Sequence, residues 1–142
     1  EVDSLGNLWV RFKDDPVANN YYRSFLRIGN EGPKFFPAYQ STISDRSFDG
    51  TQYDHPILNL PESFINIGED VLFRKGDTVT LRFCAIDEVH FDFWRSLERE
   101  LYLVGNPFGS SGNEVSSNIR GTKPALGIWG GYGAIYEKVI FD

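Results

Sequence analysis

Residues 76–99, GDTVTLRFCAIDEVHFDFWRSLER, change from period-two alternation to helical spacing within a few positions. That switch restricts the fold to one holding a strand that feeds directly into a helix. Val79, Leu81, Phe83 and Ala85 are apolar and alternate with Thr78, Thr80 and Arg82. Successive side chains of a strand leave opposite faces, so this pattern predicts a half-buried strand. Lys75-Gly76-Asp77 before it is a turn signal, because glycine takes positive φ without steric cost. Asp87 suits a helix N-cap, where its carboxylate accepts from first-turn amides that lack partners. Glu88 and Asp92 near the start, and Arg95 and Arg99 further on, match the helix dipole.

Along that helix Val89, Phe93, Leu97 and Leu101 step down one side and Trp94 widens the stripe. This face is expected to dock on a sheet. Glu88, Asp92, Arg95, Ser96 and Arg99 are expected to face water, and Glu98 and Asp92 to form ordinary surface pairs with Arg95. His90 falls near the stripe's edge without a second histidine or cysteine at ligand spacing, so it reads as a packed residue. Phe91 and Tyr102 fall off the stripe and are expected to lie near each other, packing beneath a preceding domain.

Strands dominate elsewhere. Leu8–Phe12 alternates and ends at Asp14-Asp15-Pro16, and Tyr21–Ile28 forms a second run, with a hairpin-like connection expected between them. The pattern is lost from Gly29 to Ser47, short extended pieces are expected at 48–53 and 55–60, and another strand around Val71–Phe73. Gly105-Asn106-Pro107 is a stop signal for the helix, followed by a polar loop to about Lys123. The last strand, Ala134–Phe141, is expected to be covered on both faces. The reading is one domain over residues 1–142, mainly β, a β-sandwich-like fold with one α-helix packed against the sheet.

Chain length is sufficient for a proper core at 142 residues. A net charge of −6 argues against a nucleic-acid backbone as partner. Cys84 is the one cysteine, so no intrachain disulfide forms, and a small buried residue is expected there. No apolar run is long enough to span a bilayer as a helix. Methionine is absent, which leads us to expect a processed product or a piece of a longer chain.

Catalytic signatures are missing. Gly109-Ser110-Ser111-Gly112 does not give a nucleophile elbow, and Gly127–Gly133 does not give a dinucleotide fingerprint. Asp45, Asp49 and Asp54 are close in sequence. Paired carboxylates suit glycoside hydrolysis or Ca²⁺ ligation, but aspartates before Gly50 are first of all turn residues. No catalytic residue, metal or cofactor is expected. Phe108, Trp129 and Tyr132 sit in Gly- and Ser-rich loops and, with Phe91 and Tyr102, are the candidate ligand or partner contacts. Against that reading, Trp129 and Tyr132 can also fold back to plug one end of the sandwich.

The ordered series DDPVANNYYRSFLRI, SDRSFDG, KGDTVTLRFCAIDEVHFDFWRSLERE, NPF, SNIRG and ALGIWGGYGAIYEKVIF spans nearly the whole chain. It resembles the C-terminal half of a Bacteroidota lipoprotein family called domain of unknown function 4249. Thr122-Lys123-Pro124 and the glycine-rich 130–133 depart from the usual family wording. The resemblance implies a lipid-anchored protein at the outer membrane, on its surface or periplasmic face. It further implies an N-terminal anchor outside this chain. No enzymatic activity comes with the family. The expected role is a binding or accessory subunit of a TonB-dependent nutrient-uptake system, with the receptor or another envelope protein as partner and a small nutrient as ligand. A carbohydrate-binding module or carbohydrate-active enzyme is the alternative.

Overall fold

The computed structural model describes residues 4–29, 32–62, 64, 67–103 and 114–142. In chain order these form β1 (Leu5–Gly6), β2 (Leu8–Lys13), β3 (Tyr21–Ile28), β4 (Phe36–Ser44) and a 3-10 turn (Asp45–Ser47). Then come β5 (Gln52–Ile57), β6 (Phe73–Arg74), β7 (Thr78–Ile86), α1 (Glu88–Tyr102) and β8 (Gly133–Ile140). A four-stranded antiparallel sheet has the order β4-β3-β7-β8, and β2 with β5 makes a separate antiparallel ribbon, as do β1 and β6. The chain is mainly β and sandwich-like. No described helix is long and apolar enough to cross a membrane.

The core lies between the larger sheet and the ribbons. Leu26, Ile43, Val79, Leu81 and Phe83 from the sheet join Leu8, Ile57 and Phe73, with Phe12 and Tyr22 packed against them. Phe12 meets Tyr22, Phe48 and Phe83 at ring separations of 5.0, 5.6 and 5.3 Å. Side chains as fully buried as Ile57, Phe73 and Val79 each contribute about 1.5–3 kcal/mol by leaving water. β7 follows its sequence pattern at Val79, Leu81 and Phe83, although Ala85 is exposed. Gly76 has φ 93°, as the turn before β7 requires.

Four expectations are corrected. β2 and β3 do not form a hairpin: β2 pairs with β5, and β3 lies between β4 and β7. A nine-residue strand, β4, occupies the segment without visible pattern. Its register shifts against β3 between Arg23 and Phe25, and Gln40 takes φ 53°. That bulge breaks the alternation, so Ser41, Thr42 and Ile43 are buried in succession. The buried face of α1 is also rotated from the expected stripe. His90, Phe91, Phe93, Ser96 and Glu98 are buried, whereas Val89 and Leu101 are exposed. The helix turns this way to bring Glu98 to Ser41 and Thr42 on β4.

The fourth correction concerns β8, which is exposed almost throughout. Ile135 pairs with Phe83 and Glu137 with Leu81, both core residues of β7. The ribbon opposite is two strands wide and covers β7 but not its neighbour, leaving Ile135 62% exposed. Val139 and Phe141 alone among the β8 end reach the core cluster.

Candidate functional site

Three regions bring chemically distinct groups together. The first is the loop that leads into β8. Asn118 clips it: its Nδ2 donates to the Trp129 carbonyl at 2.7 Å, and its Oδ1 accepts from the Trp129 amide at 2.8 Å. Ser117 Oγ does the same for Gly127, donating to its carbonyl at 2.8 Å and accepting from its amide at 3.1 Å. The backbone is thus fixed while the Trp129 side chain stands 84% exposed. Trp129, so exposed, does not plug the sandwich.

Tyr132 is half in and half out. It is exposed at one edge, yet it helps line a cavity of about 460 Å³ with Phe25, Cys84, His90 and Trp94. The Arg82 guanidinium lies 5.8 Å from its ring. Burial pushes the His90 imidazole below its usual range and the Cys84 thiol above it. Cys84 is therefore an inert packed residue, as expected from its place in the strand. Exposed Tyr136 and Ile140 continue the apolar surface along the same face of β8, and Ile135 is exposed on its opposite face. Among the described residues β8 is the edge strand of the sheet.

Phe91 does not join that surface. It is buried with its ring 5.0 Å from Tyr21 of β3, inside this domain rather than beneath another. Tyr102 lies eleven positions further along α1, about 16 Å away at 1.5 Å per residue, so the two are not neighbours. Phe108 lies outside the described residues, as does the Gly105-Asn106-Pro107 stop.

Tyr102 belongs to the second region, a cleft of about 590 Å³ between β4 and α1. Its ring is 4.8 Å from both Tyr39 and Phe64, and its hydroxyl accepts from the Gln40 amide at 2.9 Å. Tyr39, Phe48 and Tyr53 supply aromatic walls, and Arg95 and Arg99 supply positive charge. Glu98 is the acid lining it, buried and engaged by Ser41 and Thr42. Burial raises the Glu98 carboxyl above its usual range, and the Tyr102 hydroxyl is pushed up to about 12 for the same reason. The positive φ at Gln40 is a local strain placed at the cleft wall. Aromatic walls and two cations can hold a ligand, while the acid of the cleft is engaged by Ser41 and Thr42.

The third region is acidic. One oxygen from each of Asp14, Asp45 and Asp49 lies within 4.8 Å of the others. Asp14 and Asp45 are 2% and 1% exposed, and Asp49 is at the surface. Asp14 Oδ1 accepts from the Tyr22 hydroxyl at 2.8 Å and its Oδ2 from the Gly50 amide at 3.1 Å. Burial pushes the Asp14 carboxyl up, but these donors outweigh it and hold it below its usual range. Asp45 Oδ2 accepts from the Asn20 amide at 2.5 Å, while its buried Oδ1 has no partner among the described residues. Asp54 is elsewhere, paired with Arg11 at 2.6 Å. Sequence reasoning missed Asp14 because its only local signal, Asp-Asp-Pro, is that of a turn.

Comparison with curated proteins and with solved structures finds no match for this chain. Residues 5–135 do match the sequence model of the family described as Domain of unknown function (DUF4249), and the chain belongs to that family.

Proposed function

We propose that this chain is a non-catalytic binding or accessory module of a cell-envelope lipoprotein. In this reading it serves a TonB-dependent outer-membrane uptake system and meets its partner through the Trp129–Tyr132 loop and β8. The single observation that carries the reading is the clipped loop. Hydrogen bonds to and from Asn118 hold the Trp129 backbone while its side chain stands exposed. Ordered, exposed aromatic rings bury large areas at low entropic cost, which is what a protein interface uses as anchors. β8 adds an edge strand with exposed Tyr136 and Ile140 on the face of Tyr132 and exposed Ile135 on the other face. The envelope setting, the lipid anchor and the receptor partner come from the resemblance described for the sequence.

A carbohydrate-active enzyme would need two acids facing across a cleft beside Trp129 or Tyr132. Among the described residues, the cavity at Tyr132 has no acidic lining. The carboxylates of Asp14, Asp45 and Asp49 approach within 4.8 Å and two of them are buried. They leave less room than the roughly 5–9.5 Å that flanks a scissile glycosidic bond.

The experiment is purification of the full-length native protein from membranes, with Trp129→Ala and Ile135→Lys variants alongside. The wild type is expected to carry an outer-membrane receptor into the eluate. Trp129→Ala is expected to lose most of it, since truncating an interface anchor costs about 2 kcal/mol or more. Ile135→Lys places a charge on the open edge and is expected to do the same. A wild-type eluate without a receptor sinks the proposal, and equal recovery with both variants sinks this surface.

A further inference from the structure

The acidic cluster at the end of the sandwich holds more negative charge than its hydrogen bonds account for. Turn geometry explains Asp14 in full, since its two oxygens serve Tyr22 and Gly50. It explains half of Asp45, whose Oδ2 caps Asn20. Asp45 Oδ1 is left over: it is buried, it has no donor among the described residues, and it belongs to a carboxylate grouped with two others. A buried acceptor without a donor is costly, and an ionised one more so. Asp49 sits in the turn closed by the Thr51 amide on the Phe48 carbonyl, and its carboxylate makes no side-chain hydrogen bond with a described residue.

Neighbouring bases do not balance the cluster. The ion pairs among the described residues join Arg11 to Asp54 and Arg46 to Glu88. Arg46 follows Asp45 directly in sequence, yet its guanidinium turns toward α1 and lies 3.3 Å from Glu88. Three like charges in near contact, two of them out of water, repel one another.

The geometry points to a Ca²⁺ site formed by Asp14, Asp45 and Asp49. The ligands are all hard oxygens, with no imidazole or thiolate in the group, which disfavours zinc and copper. Opposite oxygens across a Ca²⁺ ion stand about 5 Å apart, so oxygens lying within 4.8 Å of one another can share one ion. The flexible coordination of Ca²⁺ suits loop ligands better than the strict octahedron of Mg²⁺. Asp45 Oδ1 is the free buried ligand. The Asp14 oxygens each accept one hydrogen bond and keep a second lone pair for the ion. Exposed Asp49 marks the side from which the ion enters, and backbone carbonyls and water complete the six to eight oxygens that Ca²⁺ takes.

The loops are braced to hold these ligands without the ion. The Asp14 amide donates to the Thr51 carbonyl at 3.1 Å, and the Asp45 amide to the Asn20 carbonyl at 3.1 Å. Gly50 has φ 68°, and a side chain there would meet Pro16 at 2.7 Å, so the two acidic loops touch. Bringing β2–β3 and β4–β5 loops together, the ion is a clamp across the open end of the core. Affinity on the order of 10⁻⁴–10⁻³ M is expected, the range of sites outside the cytosol.

The test uses the 142-residue chain stripped with EGTA and titrated with CaCl₂. Binding to the folded state alone raises the unfolding temperature, so about 1 mM Ca²⁺ should raise Tm by several degrees and EGTA should reverse it. Tb³⁺ is the second probe. The Tyr22 hydroxyl touches Asp14, so tyrosine excitation should give Tb³⁺ luminescence that Ca²⁺ displaces. Asp49→Asn keeps shape and removes one of the three repelling charges, so the Ca²⁺-free Tm should not fall while Ca²⁺ binding weakens at least tenfold. A wild type with neither a Tm shift nor Tb³⁺ emission overturns the site. Asp49→Asn with an unchanged Ca²⁺ titration overturns the ligand set, and an equal Tm rise with Mg²⁺ overturns the choice of ion.

Discussion

Glu98 shows how one residue can set the attitude of a helix. Its neighbours in sequence suggest a surface pair with Arg95, but the structure buries it against β4. Ser41 Oγ donates to Glu98 Oε1 and accepts from Arg23 Nε at 3.0 Å, so a hydroxyl bridges the two buried charges. The Arg23 guanidinium also lies 3.7 Å from the Trp94 ring and 4.6 Å from Phe25. Burial lowers its pKa to about 10, and Glu98 pulls in the opposite direction. Removing one partner of such a group strands the other in low dielectric, which costs more than the interaction itself contributes. Glu98→Ala is therefore expected to lose about 3 kcal/mol of stability in urea unfolding. Glu98→Gln keeps acceptor and shape and should lose about 1 kcal/mol. Equal losses would mean that packing, not the polar bridge, places α1.

At the scale of elements, the entry to α1 was readable and its burial was not. Asp87 accepts from the His90 amide at 2.7 Å with extended backbone, as an N-cap does. Asp87→Ala should cost about 1 kcal/mol, read as a lower urea midpoint at constant slope. A midpoint within error of wild type would remove the cap from the account. β2, β3 and β7 were legible because apolar residues alternate in their sequences, although β3 and β7 also bury Arg23, Thr80 and Cys84 on the other face. β4 was not, because Gln40 and the bulge put three consecutive side chains inside, and Pro37 suggests a loop. β8 was legible in position only. Alternation reports what a strand can bury, whereas the width of the layer opposite decides what it does bury. Strand pairing escaped for the same reason: β2 finds β5 some forty residues away, and no local signal encodes that. The exposure of Trp129 and Tyr132 follows from their glycine-rich loop, whereas the place of Asp14 is visible only once two loops meet.

For the whole molecule, buried titratable groups make stability depend on pH in a calculable direction. His55 and His90 are held below their usual 6.5 by burial, so the fold prefers them neutral. Their contribution is complete above pH 6.5 and is lost as pH falls through that value toward the folded pKa. Asp14, held below 3.8, contributes above that value and loses its contribution as pH falls through its folded pKa. Glu98 acts in the opposite sense. Raised above 4.5 by burial, it favours the fold most in acid, and that part is lost as pH rises through its folded pKa. The two histidines therefore dominate just below neutrality, with Glu98 a partial offset further down. Tm should fall from about pH 7.5 to about pH 5.5. In His55→Gln with His90→Gln the slope over that window should flatten, since neither site can then take up a proton on unfolding. Glu98→Gln, which removes the offset, should steepen the fall at its acid end. Parallel curves for all three proteins would show that other groups govern the acid limb.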